Sequence, residues 1–304
     1  MRIVFLGTPE FTLPLLEACA QAGELALVVA QPDKPAGRHQ ELQQPASKRW
    51  ALRRGIPVEQ PARVKNGALA SVLASARPEV AVVAAYGRIL PPDALAVPRH
   101  GCLNVHASLL PELRGAAPAQ WAVARGYRET GVTIMQVDEG LDTGDIRLQK
   151  RIDIAPDETG ESLLARLAPL GAEALAEALQ KLELGALPRI PQEHAKATLA
   201  PILTREDGRV DWTRTAVALD QRRRGFLPWP GAWTTVKGAT LKIHDARPGA
   251  GAGAPGELLD GARVASGGGT AWELLEVQPE GRKRMPAAAW LQGVRLKTGD
   301  RLGT

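Results

Sequence analysis

The chain has 304 residues, of which 44% are hydrophobic and 23% are charged, an ordinary globular composition that excludes wholesale disorder. Single cores seldom grow past ~250–300 residues, so this length favours two domains. The longest apolar runs, such as Glu79–Tyr86, fall far short of the ~20 residues that a membrane helix needs. The amino terminus shows no signal-peptide pattern, and Cys19 and Cys102 form no CxxC pair. We therefore expect a protein of the reducing cytoplasm.

The excess positive charge lies in the last third of the chain. Residues 205–304 carry 16 Lys and Arg against 11 Asp and Glu, whereas the preceding residues carry 22 of each. Lys and Arg supply the sequence-independent part of nucleic-acid affinity. The balance therefore favours a polyanionic partner, although a basic domain without such a partner fits the composition equally well.

Short apolar runs alternate with helical stretches over residues 1–187. Continuous apolar runs are typical of strands buried on both faces of a parallel sheet, and the alternation predicts a doubly wound α/β fold. The predicted strands are Arg2–Gly7, Leu25–Gln31, Glu79–Tyr86, Leu103–Ser108 and Val132–Val137. The predicted helices are Pro9–Ala22, Pro45–Arg54, Gly67–Ala76, Ala117–Gly126 and Thr159–Leu184, the last with Pro169 as a candidate break.

Residues 188–205 contain three prolines and no long apolar run, which predicts a linker. After it, short strand candidates separated by glycine-rich turns favour a small β-barrel or sandwich. These strands are Val210–Trp212, Trp233–Val236, Thr240–Asp245, Gly256–Leu259, Arg263–Ser266 and Trp272–Val277. The helical candidates are Arg214–Arg224 and Pro286–Leu291.

The turn after the first strand lacks a dinucleotide-binding loop. It reads Gly7-Thr8-Pro9-Glu10 instead of GxGxxG, so a pyrophosphate cannot approach the backbone in the usual way. A nicotinamide-dependent enzyme is therefore disfavoured.

Two polar residues lie close together in the predicted strand Leu103–Ser108. Asn104 and His106 are two positions apart, so their side chains share one face of the strand. An amide can stabilise an oxyanion and an imidazole can also move a proton. The alternative is a polar pair satisfied in the core.

A loop rich in acidic residues follows the predicted strand Val132–Val137. Residues 138–146 include four carboxylates and two glycines, but their spacing is not that of a calcium loop, so we expect no metal. If the loop folds beside Leu103–Ser108, one carboxylate could orient His106. Such a group has no nucleophilic side chain and permits direct attack of a bound amine on a bound acyl carbon.

These segments resemble the folate-dependent formyltransferases. The motifs that carry the resemblance are Asn104–Pro111, Arg114–Pro118, Gly131–Met135 and Asp142–Ile146. Further segments are similar to the members of the family that act on aminoacyl-tRNA, namely Gly7–Phe11, Gln31–Arg38, Ala85–Pro91, Asp207–Trp212 and Pro228–Trp233. The resemblance covers nearly the whole chain.

The resemblance implies catalysis by Asn104, His106 and Asp142. It implies a Rossmann-like, mainly parallel catalytic domain over residues 1–187, a linker over 188–205 and an OB-like β-barrel that binds tRNA over 206–304. The donor would be 10-formyltetrahydrofolate, without a metal or a nucleotide, and the acceptor the α-amino group of methionine on initiator tRNA. One alternative is a related enzyme that formylates a small amine such as an amino sugar, and another is a non-catalytic RNA-binding protein.

The resemblance also implies where the substrates bind. The folate site would consist of Ser108, Leu109, Leu110, Pro111, Arg88, Ile89 and Leu90, with the backbone of Asp138, Glu139, Gly140 and Leu141. The tRNA candidates are Lys34, Arg38, Arg222, Arg223 and Arg224. The family's loop after the second strand carries several lysines, whereas residues 38–44 here hold one arginine and a glutamate. The three consecutive arginines could instead complement a helix dipole. We expect a monomer.

Overall fold

The computed structural model describes residues 1–36 and 41–303. The chain forms two compact units that interleave along the sequence. The first unit comprises residues 1–118, 129–153 and 164–201, and the second comprises residues 119–128, 154–163 and the chain from 202 onward.

The first unit is built on a mixed seven-stranded sheet in the order β5-β2-β1-β6-β7-β8-β9. Its strands are β1 (Arg2–Gly7), β2 (Glu24–Val29), β3 (Lys34–Ala36), β4 (Glu41–Gln43), β5 (Val58–Glu59), β6 (Val80–Ala84), β7 (Cys102–His106), β8 (Glu129–Gln136) and β9 (Ile146–Asp153). The five strands from β5 to β7 are parallel, whereas β8 runs antiparallel to both β7 and β9, and β3 and β4 pair separately. The predicted α/β class is confirmed.

Helices follow most of the strands. They are α1 (Leu13–Ala22), α2 (Ala46–Arg53), α3 (Ala68–Ala76), α4 (Pro92–Leu95), α5 (Pro118–Ala124), α6 (Gly160–Glu183), α7 (Ala216–Gly225) and α8 (Ala287–Val294). The candidate break at Pro169 does not form, and α6 runs through it for 24 residues. A proline removes one helical hydrogen bond, and the buried leucines on either side of it, Leu163, Leu167 and Leu175, favour the continuous helix.

The second unit contains an antiparallel sheet in the order β10-β11-β13-β12, with β14 paired to β13. These strands are β10 (Ala232–Val236), β11 (Ala239–Ala250), β12 (Arg263–Ser266), β13 (Thr270–Pro279) and β14 (Met285–Pro286). The predicted strands Val210–Trp212 and Gly256–Leu259 do not form. Their region contributes isolated bridges instead, and Trp212 packs edge-to-face on Trp272 in the core, with ring centroids 6.1 Å apart. Strand pairing within the described residues leaves the sheet open between β10 and β12.

Both cysteines are buried and unpaired. Burial raises the pKa of the Cys102 thiol to about 12 and raises that of the Cys19 thiol as well. Among the helices described above, none is long and apolar enough to cross a membrane.

Candidate active site

Asn104 and His106 lie on β7, in the middle of the first unit's sheet. Asn104 pairs in register with Met135 of β8, and His106 pairs with Thr133. Because successive strand residues point to opposite faces, the two polar side chains project from the same face. His106 is 5% exposed, whereas Asn104 is half-buried.

The acidic loop between β8 and β9 brings a carboxylate to these two side chains. Asp142 Oδ1 lies 3.5 Å from Asn104 Nδ2, and Asp142 Oδ2 lies 3.6 Å from His106 Nδ1. The backbone N–H of Gly115 donates to Oδ2 at 2.8 Å and fixes the carboxylate. The structure therefore brings together the three residues predicted to be catalytic.

The hydrogen bond of His106 Nε2 determines which ring nitrogen carries the hydrogen of the neutral imidazole. Nε2 lies 2.9 Å from the carbonyl oxygen of Leu113, which can only accept, so Nε2 carries a hydrogen. The neutral imidazole then presents the lone pair of Nδ1 towards Asp142. When Nδ1 takes a proton, the imidazolium gains the opposite charge of the carboxylate as a neighbour. Nδ1 is thus the ring nitrogen without a hydrogen when the imidazole is neutral.

The acidic loop is held in shape by its own polar contacts. The Thr143 hydroxyl donates to both carboxylate oxygens of Asp138, at 2.7 and 2.9 Å, and the N–H of Gly140 donates to one of them at 3.1 Å. A Cβ at Gly144 would overlap a backbone carbonyl oxygen in β8, so only glycine fits there. Residues 1–36 and 41–303 contain no cluster of three or more metal-ligating side chains.

The predicted folate segment Ser108–Pro111 is fixed to the neighbouring strands. The N–H of Leu110 donates to the hydroxyl of Thr133 at 3.1 Å, and Gln149 Nε2 donates to the carbonyl of Leu110 at 2.9 Å. Ser108 is buried, and its hydroxyl donates to the carbonyl of Glu112 at 2.6 Å. The Ser108 hydroxyl therefore already has a hydrogen-bond partner within the protein.

The second predicted folate segment, Arg88–Leu90, follows β6. Leu90 is buried in a hydrophobic cluster that also contains Tyr86 and, at its margin, Val137, the residue before the acidic loop. The guanidinium of Arg88 donates to the carbonyl of Ala62 at 2.9 Å. The two loops predicted to contact the pterin therefore share one cluster.

The structure fits an aromatic ligand at these loops. Ile89 is 79% exposed and Leu141 is 58% exposed, although both are large apolar residues. The hydroxyl of Tyr86 is buried without a hydrogen-bond partner in the described part of the chain, and burial raises its pKa. Small-molecule sites are lined mainly by apolar side chains with a few polar groups, so Ile89 and Leu141 are candidates to contact such a ligand.

The five residues predicted to bind tRNA have different surroundings. Lys34 lies exposed on β3, and Arg38 lies outside the described residues. The side chains of Arg223 and Arg224 are only 11% and 15% exposed, and both pair with Asp220 at 2.8 Å.

The third arginine, Arg222, is also engaged within the second unit. Its guanidinium donates to the carbonyl of Asp207 at 2.9 Å and stacks 4.9 Å from the ring centroid of Phe226. Burial lowers its pKa. Because all three arginines have internal partners, phosphate contact through them is the site prediction that the structure supports least.

Sequence reasoning missed a residue that contacts the acidic loop, Gln192, and the arginine that binds it, Arg114. Arg114 and Gln192 are buried and hydrogen-bonded to each other, and Gln192 Nε2 also donates to the backbone carbonyl of Asp142 at 2.9 Å. Arg114 lies in a family motif, but Gln192 lies in the predicted linker, where no local pattern marks it.

An amide, a buried imidazole and a carboxylate that lie together can support group transfer, and the sequence comparisons give the family of the chain. Residues 1–179 match the family model described as formyl transferase, and residues 202–295 match that described as formyl transferase, C-terminal domain. The chain belongs to the formyl transferase family, which confirms the resemblance.

Within this family, the chain is most usefully compared with individual relatives. The chain is 56% identical over 313 residues to a methionyl-tRNA formyltransferase from Anaeromyxobacter dehalogenans, with 100% of both chains covered. It is 51% identical to one from Myxococcus xanthus, covering 98% of this chain and 97% of that one. A solved structure, the N-formyltransferase from Helicobacter canadensis in complex with folinic acid and dTDP-3-aminofucose, covers 92% of this chain and 99% of its own. Its TM-score of 0.66 at 14% identity shows a shared fold.

Proposed function

We propose that this protein transfers the formyl group of 10-formyltetrahydrofolate to the α-amino group of methionyl initiator tRNA. The convergence of Asn104, His106 and Asp142 carries the proposal. The end-to-end similarity to methionyl-tRNA formyltransferases supports the choice of acceptor. We assign catalysis to residues 1–187, a connecting role to 188–205 and tRNA binding to an OB-like barrel over 206–304.

The proposed reaction is a direct displacement. The neutral amine attacks the formyl carbon, a new nitrogen–carbon bond forms, and the bond from that carbon to N10 of the folate breaks. Nδ1 of His106 takes the proton that the amine loses and passes it to N10 as N10 leaves, which restores the neutral imidazole. Asn104 Nδ2 donates to the oxyanion of the attacked carbonyl, and Asp142 stabilises the imidazolium. Loss of one oxyanion donor typically costs ~2.7–4 kcal/mol of barrier.

The folate would lie between the two exposed apolar side chains. Ile89 and Leu141 would cover the faces of the pterin, and the backbone of Asp138–Leu141 would meet its polar edge. Ser108–Pro111 would complete the site through its backbone, because Ser108 and Leu110 are themselves buried.

For the tRNA backbone, a cavity beside the start of β11 and the end of β13 is a better candidate than the three arginines. Arg205 and Lys242 line this cavity of about 230 Å³. Arg205 stacks on the ring of Trp233 at 5.1 Å, and Lys242 is exposed. The one acidic residue of the cavity, Glu280, accepts a backbone N–H of Thr240 at 3.0 Å. We propose that the two cations contact phosphates and that Lys34 and Arg38 contact the acceptor end.

We further propose that the protein acts as a monomer in the cytoplasm. Charged initiator tRNA is available in that compartment, and the reduced, buried cysteines fit it.

The decisive experiment offers the purified protein 10-formyltetrahydrofolate with one of three acceptors. These are initiator methionyl-tRNA, elongator methionyl-tRNA and a dTDP-linked amino sugar. We expect N-formylmethionine from the initiator tRNA and no formylated sugar. Preferential formylation of the sugar would establish the alternative acceptor. His106→Ala and Asn104→Ala should each abolish most turnover and leave the circular dichroism spectrum unchanged.

A further inference from the structure

The segment predicted as a linker is attached to the first unit close to the acidic loop. The guanidinium of Arg147 donates to the carbonyls of Leu187 and Pro188, at 3.1 and 2.5 Å. Ile190 and Ile146 exchange backbone hydrogen bonds at 2.8 and 3.0 Å. Ile146 begins β9 directly after the loop. The segment therefore reaches the base of the loop that carries Asp142.

Gln192 connects this segment to the loop itself. Its side chain is buried, with the residue 6% exposed. Its Oε1 accepts from Arg114 Nε at 3.2 Å and from Nη2 at 2.6 Å. Its Nε2 donates to the carbonyls of Asp142 at 2.9 Å and Gly144 at 2.7 Å. A guanidinium can only donate and a carbonyl can only accept, so these four contacts fix the orientation of the amide.

The contacts of Gln192 bear on an unusual backbone conformation. Asp142 has φ of +52°, in the left-handed region that a non-glycine residue seldom adopts. Gln192 binds the carbonyl of this residue, while Gly115 binds its carboxylate. Arg114, which orients Gln192, is the neighbour of Gly115 in the chain. The Arg114–Gln192 pair is therefore connected to Asp142 in two ways. Gln192 binds its backbone carbonyl, and the residue after Arg114 binds its carboxylate.

We propose that Gln192 is a positioning residue for the formyl transfer, which rests on the function proposed above. It holds the backbone of the acidic loop so that the Asp142 carboxylate faces His106, and Arg114 holds Gln192. Gln192 itself touches neither the imidazole nor the amide of Asn104 in the described contacts.

The substitution Gln192→Glu separates the hydrogen bonds that Gln192 accepts from Arg114 from those that it donates to the acidic loop. A glutamate still accepts from Arg114 but cannot donate to the two loop carbonyls. We expect kcat to fall about 10–100-fold, the loss that a displaced catalytic group typically causes, while both KM values stay near those of the wild type. Hydrogen exchange should accelerate in residues 138–145 and stay unchanged in β1 and β6. Gln180→Ala, an exposed glutamine on α6, is the matched control and should change neither quantity.

The kcat and exchange measurements can each overturn the proposed role of Gln192. Wild-type kcat in Gln192→Glu, or unchanged exchange in residues 138–145, would overturn the proposal, as would faster exchange throughout the first unit. If the glutamate variant does not fold, Gln192→Met removes the hydrogen bonds to both the loop and Arg114 without adding a buried charge, and the same two measurements apply. If the wild-type protein formylates no methionyl-tRNA, the proposed function fails. The exchange measurement still decides whether Gln192 holds the loop.

Discussion

The substitution Asp142→Asn removes the charge of the acidic-loop carboxylate almost without a change of shape. Asparagine tolerates a positive φ as aspartate does, and its Oδ1 can still accept the N–H of Gly115. What is lost is the negative charge 3.6 Å from His106 Nδ1, together with the acceptor that Asp142 Oδ1 offers to Asn104 Nδ2 at 3.5 Å. At an effective dielectric constant of ~20 the interaction of this charge with an imidazolium is worth about 4–5 kcal/mol.

The rate effect follows from that interaction. The Asp142 side chain is 16% exposed, so solvent screening reduces the value, and we take about 2–4 kcal/mol for the transition state. This corresponds to a fall in kcat of about 30- to 1,000-fold. The assay is the initial rate of N-formylmethionine formation with both substrates saturating. Asp145→Asn, a charge removal in the same loop, is the control. Near-wild-type kcat in Asp142→Asn would refute the proposed stabilisation of the imidazolium by Asp142.

Three further predictions concern packing, thiol chemistry and salt. Gly144→Ala places a Cβ against a carbonyl oxygen in β8 and should lower the unfolding midpoint in urea far more than Gly185→Ala. The latter meets nothing within 4 Å and should cost only about 1 kcal/mol for its positive φ. Because burial raises the pKa of Cys102 to about 12, little thiolate forms at pH 8, and mass spectrometry should find it alkylated only after unfolding. Lys242→Ala should reduce the slope of log KM for tRNA against log salt by about 0.7–0.9, whereas Arg247→Ala, whose charge is already paired, should reduce it less.

The buried strands of the first unit were predictable because both of their faces meet the core. Only apolar residues fit such a strand, so β1 has the predicted bounds, and β6 lies within the predicted Glu79–Tyr86. β9 was missed because Ile146–Asp153 contains four charged residues and one partly solvated face. It is a strand because it pairs with β8, and this pairing does not require a run of apolar residues in its own sequence.

The site was predictable to the extent that local periodicity determines it. Asn104 and His106 share a face because strand side chains alternate, whatever the rest of the fold does. The approach of Asp142 required a loop to fold back onto β7, which the sequence allowed but did not determine. Gln192 could not be found in this way. Its partners lie about 50 and 78 positions earlier in the chain, and its own neighbourhood is rich in prolines.

The proton chemistry of the site implies that acceptor selectivity lies elsewhere. The Leu113 carbonyl keeps a hydrogen on Nε2 of His106, so in the proposed mechanism Nδ1 receives the amine's proton whether the amine belongs to a methionyl ester or to an amino sugar. In that mechanism Asn104 acts on the formyl oxygen and Asp142 on the imidazolium, which are the same for both acceptors. Substitutions in this group should therefore slow every acceptor by the same factor. Discrimination then comes from contacts remote from the amine, which for a tRNA include its phosphates. A change at Lys242 should accordingly raise the KM for tRNA and leave the residual turnover of any small amine unaltered.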